Sequence, residues 1–300
     1  DTGGTDTGGS DTGGTDTGST DTGGSDTGGD TTSGDTTGGD TDGTDVAGAD
    51  PRPLFSFFAT SMNGLLAQKY GDAIPSDTSE AGYGGNLGGL EGADALCAAL
   101  AQVGSPGDTK TWRAFLSTHP DGPGEAIDAI DRVGDGPWYD WNGRVFAMNK
   151  EELFAGDDGR PAGADPQLAA LFSDEYGNPI QINNEDNHDF LTGTGLDGKL
   201  KGSLDDTCQN WTFEDRYDVD KEVAIGHAWP RAARGGGGGR PGGGDGPGGE
   251  SGQQWMSDHT VNGCMPGVHI GPGAGRAEDG DQRAGGAGGF GGFYCFALSN

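Results

Sequence analysis

The densest group of potential ligand side chains in the chain is Asn183-Asn184-Glu185-Asp186-Asn187-His188-Asp189. Carboxylate and amide oxygens this close in sequence suit Ca²⁺, a hard cation that takes oxygen ligands. Glu185, Asp186 and Asp189 are the carboxylates such a site would use. Asn184, Asn187 and His188 complete the candidate ligand-binding surface. His188, flanked by Asp186 and Asp189, is also the best-placed zinc ligand or general base. Asp205-Asp206 are further carboxylates that would join the same site. The competing expectation is a solvated polar loop whose Asn and Asp side chains cap local turns.

Elsewhere the chemistry is sparser. The other histidines, His119, His227, His259 and His269, form no His-Glu-x-x-His pair. His227 lies between apolar residues and is read as a half-buried core histidine, not as a ligand. No Gly-x-Ser-x-Gly elbow occurs, and no catalytic residue is assigned. Trp138, Tyr139 and Trp141 crowd beside Asn142-Gly143, a hairpin-turn signal. Aromatic rings at a turn stack on sugars or anchor a protein partner, unless they pack as a corner of the core.

The four cysteines are Cys97, Cys208, Cys264 and Cys295. None has Cys-x-x-Cys spacing, so neither a zinc ribbon nor a thioredoxin-type site is supported. Wide spacing in an acidic, Thr-rich chain fits an oxidising compartment. Three pairings are open. The nested one, Cys97–Cys295 with Cys208–Cys264, is expected, because it ties a long helix to the last strand and closes a loop around a glycine-rich stretch.

The elements that must position these groups begin at Leu54. Residues 54–60 are apolar and aromatic behind Pro53, which predicts a buried strand. Residues 90–103 place Leu90, Ala93, Cys97 and Leu100 on one helical face. Trp112 to Ser117 alternates as a strand. Asn149 and Glu152 form a capping box for a short helix through Leu153 and Phe154. Asp165-Pro166 opens another, containing Leu168, Leu171 and Phe172. Val223 to Trp229 and Phe293 to Leu298 read as strands, with Trp112, Trp211 and Trp229 in the core.

Two stretches lack anything to pack. Residues 1–50 repeat DTGGT-like units with 12 Asp, no Lys or Arg and no aromatic residue. Such a segment cannot offset the entropy of folding and is expected to be an extended, disordered spacer over residues 1–52. Residues 234–250 are mostly Gly with interspersed Pro, and read as a loop inserted at about 232–252 of a domain spanning 53–300. The chain of 300 residues has 17 basic and 48 acidic side chains, for a net charge of −31. The repeat holds −12 of that and leaves −19 for residues 51–300. This acidity argues against binding nucleic-acid phosphates. No apolar run is long enough to span a membrane.

Longer motifs carry a family resemblance. They are Gly85-Asn86-Leu87-Gly88-Gly89-Leu90-Glu91-Gly92-Ala93-Asp94-Ala95-Leu96-Cys97, Trp112-Arg113-Ala114-Phe115-Leu116-Ser117, Asp131-Arg132-Val133-Gly134 with Gly136-Pro137-Trp138-Tyr139, and Asn187-His188-Asp189 with Leu191-Thr192-Gly193. Cys208-Gln209-Asn210-Trp211-Thr212, Gly226-His227-Ala228-Trp229-Pro230-Arg231, Gly263-Cys264 and Tyr294-Cys295-Phe296 follow. In this order they resemble bacterial secreted domains with a C-type-lectin-like fold, related to endostatin, over about residues 54–298. The resemblance implies an α+β domain with two helices, a twisted antiparallel sheet and a long loop region. It also implies nested disulfide pairing. The stretch between Arg231 and Trp255 departs from that pattern, and the Glu-Pro-Asn, Gln-Pro-Asp and Trp-Asn-Asp triplets of calcium-dependent lectins are absent.

The sequence therefore leads to a non-enzymatic binding module, extracellular or at the cell surface, on a flexible acidic stalk. A polysaccharide or a surface protein is the expected partner. A leader and a lipid-modified N-terminal cysteine, if they exist, are expected upstream of residue 1. The rival expectations are a metal-assisted hydrolase centred on His188 and a structural adhesion or matrix component.

Overall fold

The computed structural model describes residues 52–120, 124–156, 159–180, 187–215, 222–228, 254–271, 281–286 and 288–298. All of them belong to one unit, Val46–Asn300. The expected spacer over residues 1–52 lies outside the described residues except at Arg52. So do the Gly/Pro stretch 234–250, Trp229, and Asn183, Asn184, Glu185 and Asp186 of the polar cluster.

The fold is α+β. The strands are β1 (Phe57–Ala59), β2 (Trp112–Ala114), β3 (Trp138–Tyr139), β4 (Val145–Ala147), β5 (Asp189–Leu191), β6 (Val223–His227), β7 (His259–Val261) and β8 (Gly289–Ala297). Two helices are long, α1 (Met62–Tyr70) and α2 (Gly89–Gly104); α3 (Ala129–Arg132), α4 (Lys150–Leu153) and α5 (Pro166–Ala170) are single turns. The main sheet runs β1-β8-β5-β6-β7, with β2 also paired to β8, while β3 and β4 form a separate hairpin. β5 and β8 are parallel, so the sheet is mixed and not wholly antiparallel. A crossover places β5 beside the last strand, whereas β6 and β7 follow it by antiparallel steps.

Sequence pattern explains the main elements. Asn149 caps α4 by accepting from the Glu152 N–H, and Glu152 accepts in turn from the Met148 N–H. The helix stops at Leu153, because Phe154 is already extended. Asp165 accepts from the N–H groups of Gln167 and Leu168 to open α5, which ends before Leu171 and Phe172. The strand expected over 54–60 is confined to β1, and the one over 112–117 to β2. β8, in contrast, starts four residues before the expected Phe293, because Gly289 to Gly292 pair with β5.

Cys97 is fully buried on α2 and bonds to Cys295 in β8; Cys208 bonds to Cys264. Both nested crosslinks thus form. Cys208–Trp211 is one left-handed turn with positive φ at all four positions, a conformation costly for side chains that carry a Cβ. The Cys208–Cys264 bond, the Thr207 cap and a Trp211 Nε1–H bond to the Ser117 carbonyl hold it.

The core is aromatic. The Phe57 ring lies 3.5 Å from that of Phe146, and Phe172, Tyr294, Phe296 and Trp255 surround this pair. Burying such large rings contributes strongly to the hydrophobic driving force of the domain.

Candidate functional site

Sheet periodicity assembles the site. Asp189 on β5 faces His227 on β6, and Ile225 faces His259 on β7. Residues two apart on a strand share a face, so His227 stands on the same side as Ile225 and is a diagonal neighbour of His259. A register shift after Asp189, with the N–H groups of His188 and Asp189 both donating to Gly288 O, turns His188 toward the same point.

Two close approaches fix these elements. A Cβ on Gly226 would stand 1.7 Å from the Trp255 carbonyl oxygen, so only glycine lets the 254–258 segment lie against β6. That segment donates from Asp258 N–H to Ile225 O and accepts from His227 N–H at Gln254 O. On the other side, a Cβ on Gly289 would meet Asp189 O at 2.7 Å.

The result is a cluster of His188, Asp189, His227, Asp258 and His259. Asp189 Oδ1 lies 3.2 Å from His188 Nε2 and 3.4 Å from His227 Nε2, and Oδ2 lies 3.5 Å from His259 Nε2. Asp258 Oδ2 is 3.3 Å from His227 Nε2 and 3.2 Å from His259 Nδ1. His227 Nε2 and His259 Nδ1 are 3.2 Å apart. The Asp189 side chain is fully buried, and among the described residues neither of its oxygens has an aligned hydrogen-bond donor. A buried carboxylate without such donors is costly unless a positive charge faces it.

Electrostatics bind the cluster together. Burial pushes the Asp189 carboxyl up, but the imidazoles of His227, His259 and His188 outweigh it and hold the group well below the usual carboxylate range. Burial pushes His227 down. It opposes charging of His259 too, but Asp189 and Asp258 overcome it and raise that imidazole to about 10. The Tyr294 hydroxyl is buried with no hydrogen-bond partner among the described residues, and is pushed up first by burial and then by the Asp189 and Asp258 carboxylates.

Of the candidate residues, His188 and Asp189 meet here. Asp189 faces imidazoles, a nitrogen-rich setting unlike the oxygen cage a Ca²⁺ ion takes. Asn187 is buried and donates to the Ile180 carbonyl. Asp206 accepts locally from Ser203 and Glu222 N–H groups. Trp138 is fully buried, with its indole N–H on Ala297 O, so its ring is core and not a stacking surface. Trp141 donates to Gly104 O, and the Arg52 guanidinium covers its ring. Tyr139 stays half-buried and lines a cavity of about 260 Å³ with Pro53, Leu54 and Leu298.

Sequence reasoning missed His259 and Asp258 and took His227 for an ordinary core histidine. His227 is indeed buried, but its ring faces two carboxylates. The available signal was that His188-Asp189 and Asp258-His259 are both adjacent His/Asp doublets.

Compared with known proteins, the chain matches no family model, and no curated protein is significantly similar to it in sequence.

Proposed function

We propose that residues 53–300 form a secreted or surface-displayed binding module that holds one divalent transition-metal ion in the His188–Asp189–His227–Asp258–His259 cluster. Zinc with nitrogen and oxygen ligands at about 2.0–2.1 Å in a tetrahedron separates neighbouring ligand atoms by about 3.3 Å. The contacts in the cluster run from 3.2 to 3.5 Å. The observation that carries the reading is the buried Asp189 carboxylate, which has no aligned donor and faces three imidazoles. Imidazole-rich donor sets suit zinc, copper or nickel better than calcium.

The C-type-lectin-like fold remains our assignment for the body. It is supported by the α+β architecture, the two long helices and the nested disulfides. Display outside the cell is supported by the disulfides, which persist in oxidising compartments. A polysaccharide or surface protein is the proposed partner, and an anchor upstream of residue 1 the proposed attachment. None of the helices described is long and apolar enough to cross a membrane.

The test is a zinc titration of chelator-treated full-length chain at pH 7.5, followed by calorimetry and by metal analysis after dialysis. We expect one ion per chain, lost in Asp189→Ala with His227→Ala. Wild-type chain that retains no ion at micromolar zinc refutes the reading. Metal-assisted hydrolysis is the second reading, favoured by the Asp189 carboxylate beside the Nε2 atoms of His227 and His259. Zinc-dependent turnover of an activated ester, lost in the same variant, would select it.

A further inference from the structure

The five side chains of the cluster do not all have equal claim to the ion. We infer that the ion sits on the face made by His227 Nε2, Asp258 Oδ2 and His259 Nδ1, with Asp189 as a positioning residue and the fourth coordination place open to a neutral donor. This assignment rests on the metal reading above and says which atoms carry it.

Three observations bear on that face. First, its edges are 3.3, 3.2 and 3.2 Å, close to the ligand separation of a zinc tetrahedron, about 3.3 Å; the 3.2 and 3.4 Å edges of the buried triad fit as well, so distance admits both and the choice rests on the next two. Second, solvent reaches this face, and does so through His259: its side chain is 26% exposed, against 8% for His227 and 1% for Asp258 on the same face, and 9% for His188 and 0% for Asp189 off it. The alternative triad of His188, Asp189 and His227 is buried at every member. Entry of an ion, and exchange of a fourth ligand, runs past His259.

Third, Asp189 stands behind the His259 ring. With Nδ1 of His259 on the ion, the ring's proton resides on Nε2, which faces Asp189 Oδ2 at 3.5 Å. A carboxylate behind a metal-bound histidine fixes the ring's tautomer and raises its basicity. Asp189 Oδ1 lies 3.2 Å from Nε2 of His188, outside that face, and 3.4 Å from the His227 Nε2 that takes the ion, so the support of Asp189 as a hydrogen-bond partner goes to the His259 ring.

Charge decides what takes the open place. A divalent ion with Asp258 as ligand and Asp189 behind it has no net charge left over. An incoming anion then gains little, and residues 51–300 already carry −19. Water, an imidazole nitrogen or an uncharged carbonyl or hydroxyl oxygen suits the place better.

The experiment uses full-length chain stripped with chelator and loaded with one equivalent of Co²⁺, whose visible absorption reports coordination. Imidazole should shift the band saturably, and azide at the same concentration should leave it in place. Asp258→Asn and His259→Gln should each weaken cobalt binding by about 100-fold or more, because a ligand is removed. Asp189→Asn should keep the same type of band and bind roughly 10–100-fold more weakly, as loss of a supporting partner does. His188→Ala should keep the same type of band and bind cobalt more weakly, because the His188 ring packs 4.6 Å from that of His227 without touching the ion. Near-ultraviolet circular dichroism confirms that each variant is folded, and Asp258→Ala and His259→Ala serve as second variants for any that is not. Full affinity in folded His259→Gln or Asp258→Asn, or loss of the band in Asp189→Asn or His188→Ala, moves the ion to the buried triad and overturns the assignment. A band insensitive to imidazole, or one that azide shifts as readily, overturns the open, neutral fourth place. Wild-type chain that binds no cobalt removes the metal reading itself, a result distinct from all of these.

Discussion

Removal of the inner crosslink in Cys208→Ala/Cys264→Ala should cost more than most single core substitutions and should weaken the metal site with it. The bond closes a segment of 56 residues. Chain-entropy reasoning assigns such a closure about 4 kcal/mol, against about 5 kcal/mol for the 198-residue closure of Cys97–Cys295. A domain's whole stability is roughly 5–15 kcal/mol, so the variant would be marginal. The inner loop also contains β6 and β7, hence His227, Asp258 and His259. Cys264 lies three residues beyond the end of β7, and its partner holds a turn with positive φ at four side-chain-bearing residues. Freed from the bond, that turn can relax and β7 loses its nearest covalent tether. The assay is urea unfolding of wild type and both double-Ala variants, with and without zinc, under conditions where fluorescence and circular dichroism transitions coincide. The expected losses are those above, with a larger urea dependence as the uncrosslinked unfolded chain exposes more surface. Zinc should stabilise the inner variant less than it stabilises the outer one. The reasoning fails if the inner variant stays within about 1 kcal/mol of wild type, or if zinc stabilises both variants alike.

Three further outcomes can be checked independently. Glu175 is buried, its carboxylate accepts from the Ser61 N–H and Oγ–H at the start of α1, and burial lifts its carboxyl to about 7. The folded chain therefore keeps a proton that the unfolded chain releases near its ordinary value, 4.5. Stability present below that value is lost as pH rises through about 7, by roughly 3 kcal/mol at this site. The difference between wild type and Glu175→Gln in unfolding free energy should show that slope, and parallel curves from pH 4 to 8 would exclude it. Tyr294→Phe should stabilise metal-free chain by about 1 kcal/mol, since it deletes a buried hydroxyl that has no partner; a loss of that size in denaturant melts would show that the hydroxyl is bonded. Asp94 accepts from Arg132, Arg113 and the Ala114 N–H, linking α2, β2 and α3. Asp94→Ala strands the largely buried Arg132 and should cost about 3 kcal/mol; a cost under 1 kcal/mol would mean that solvent already screens the pair.

What the chain shows by itself is local chemistry and covalent reach. The apolar face that buries Cys97, the Asn149/Glu152 cap, the Asp165-Pro166 start and the Asn142-Gly143 hairpin all act over a few residues, so their types and spacing are enough to read them. The nested crosslinks are the expected choice among three pairings that the sequence leaves open, and the fold closes that one. The limits of β1 and β8 did not follow, since strand length depends on which neighbour is present to accept hydrogen bonds. Helix α1 escaped notice because its buried side chains, Leu65 and Leu66, are adjacent and make no helical stripe.

The grouping of His188, Asp189, His227, Asp258 and His259 was decided by tertiary structure alone. His188 drew attention through neighbours in sequence, yet His227 lies 39 positions away and His259 another 32. They meet because antiparallel register sets Asp189 opposite His227, and because Gly226 lets the segment carrying Asp258 lie on the strand beside it. Sequence tells which side chains can bind an ion, but sheet register and backbone clearance decide which of them share one point in space.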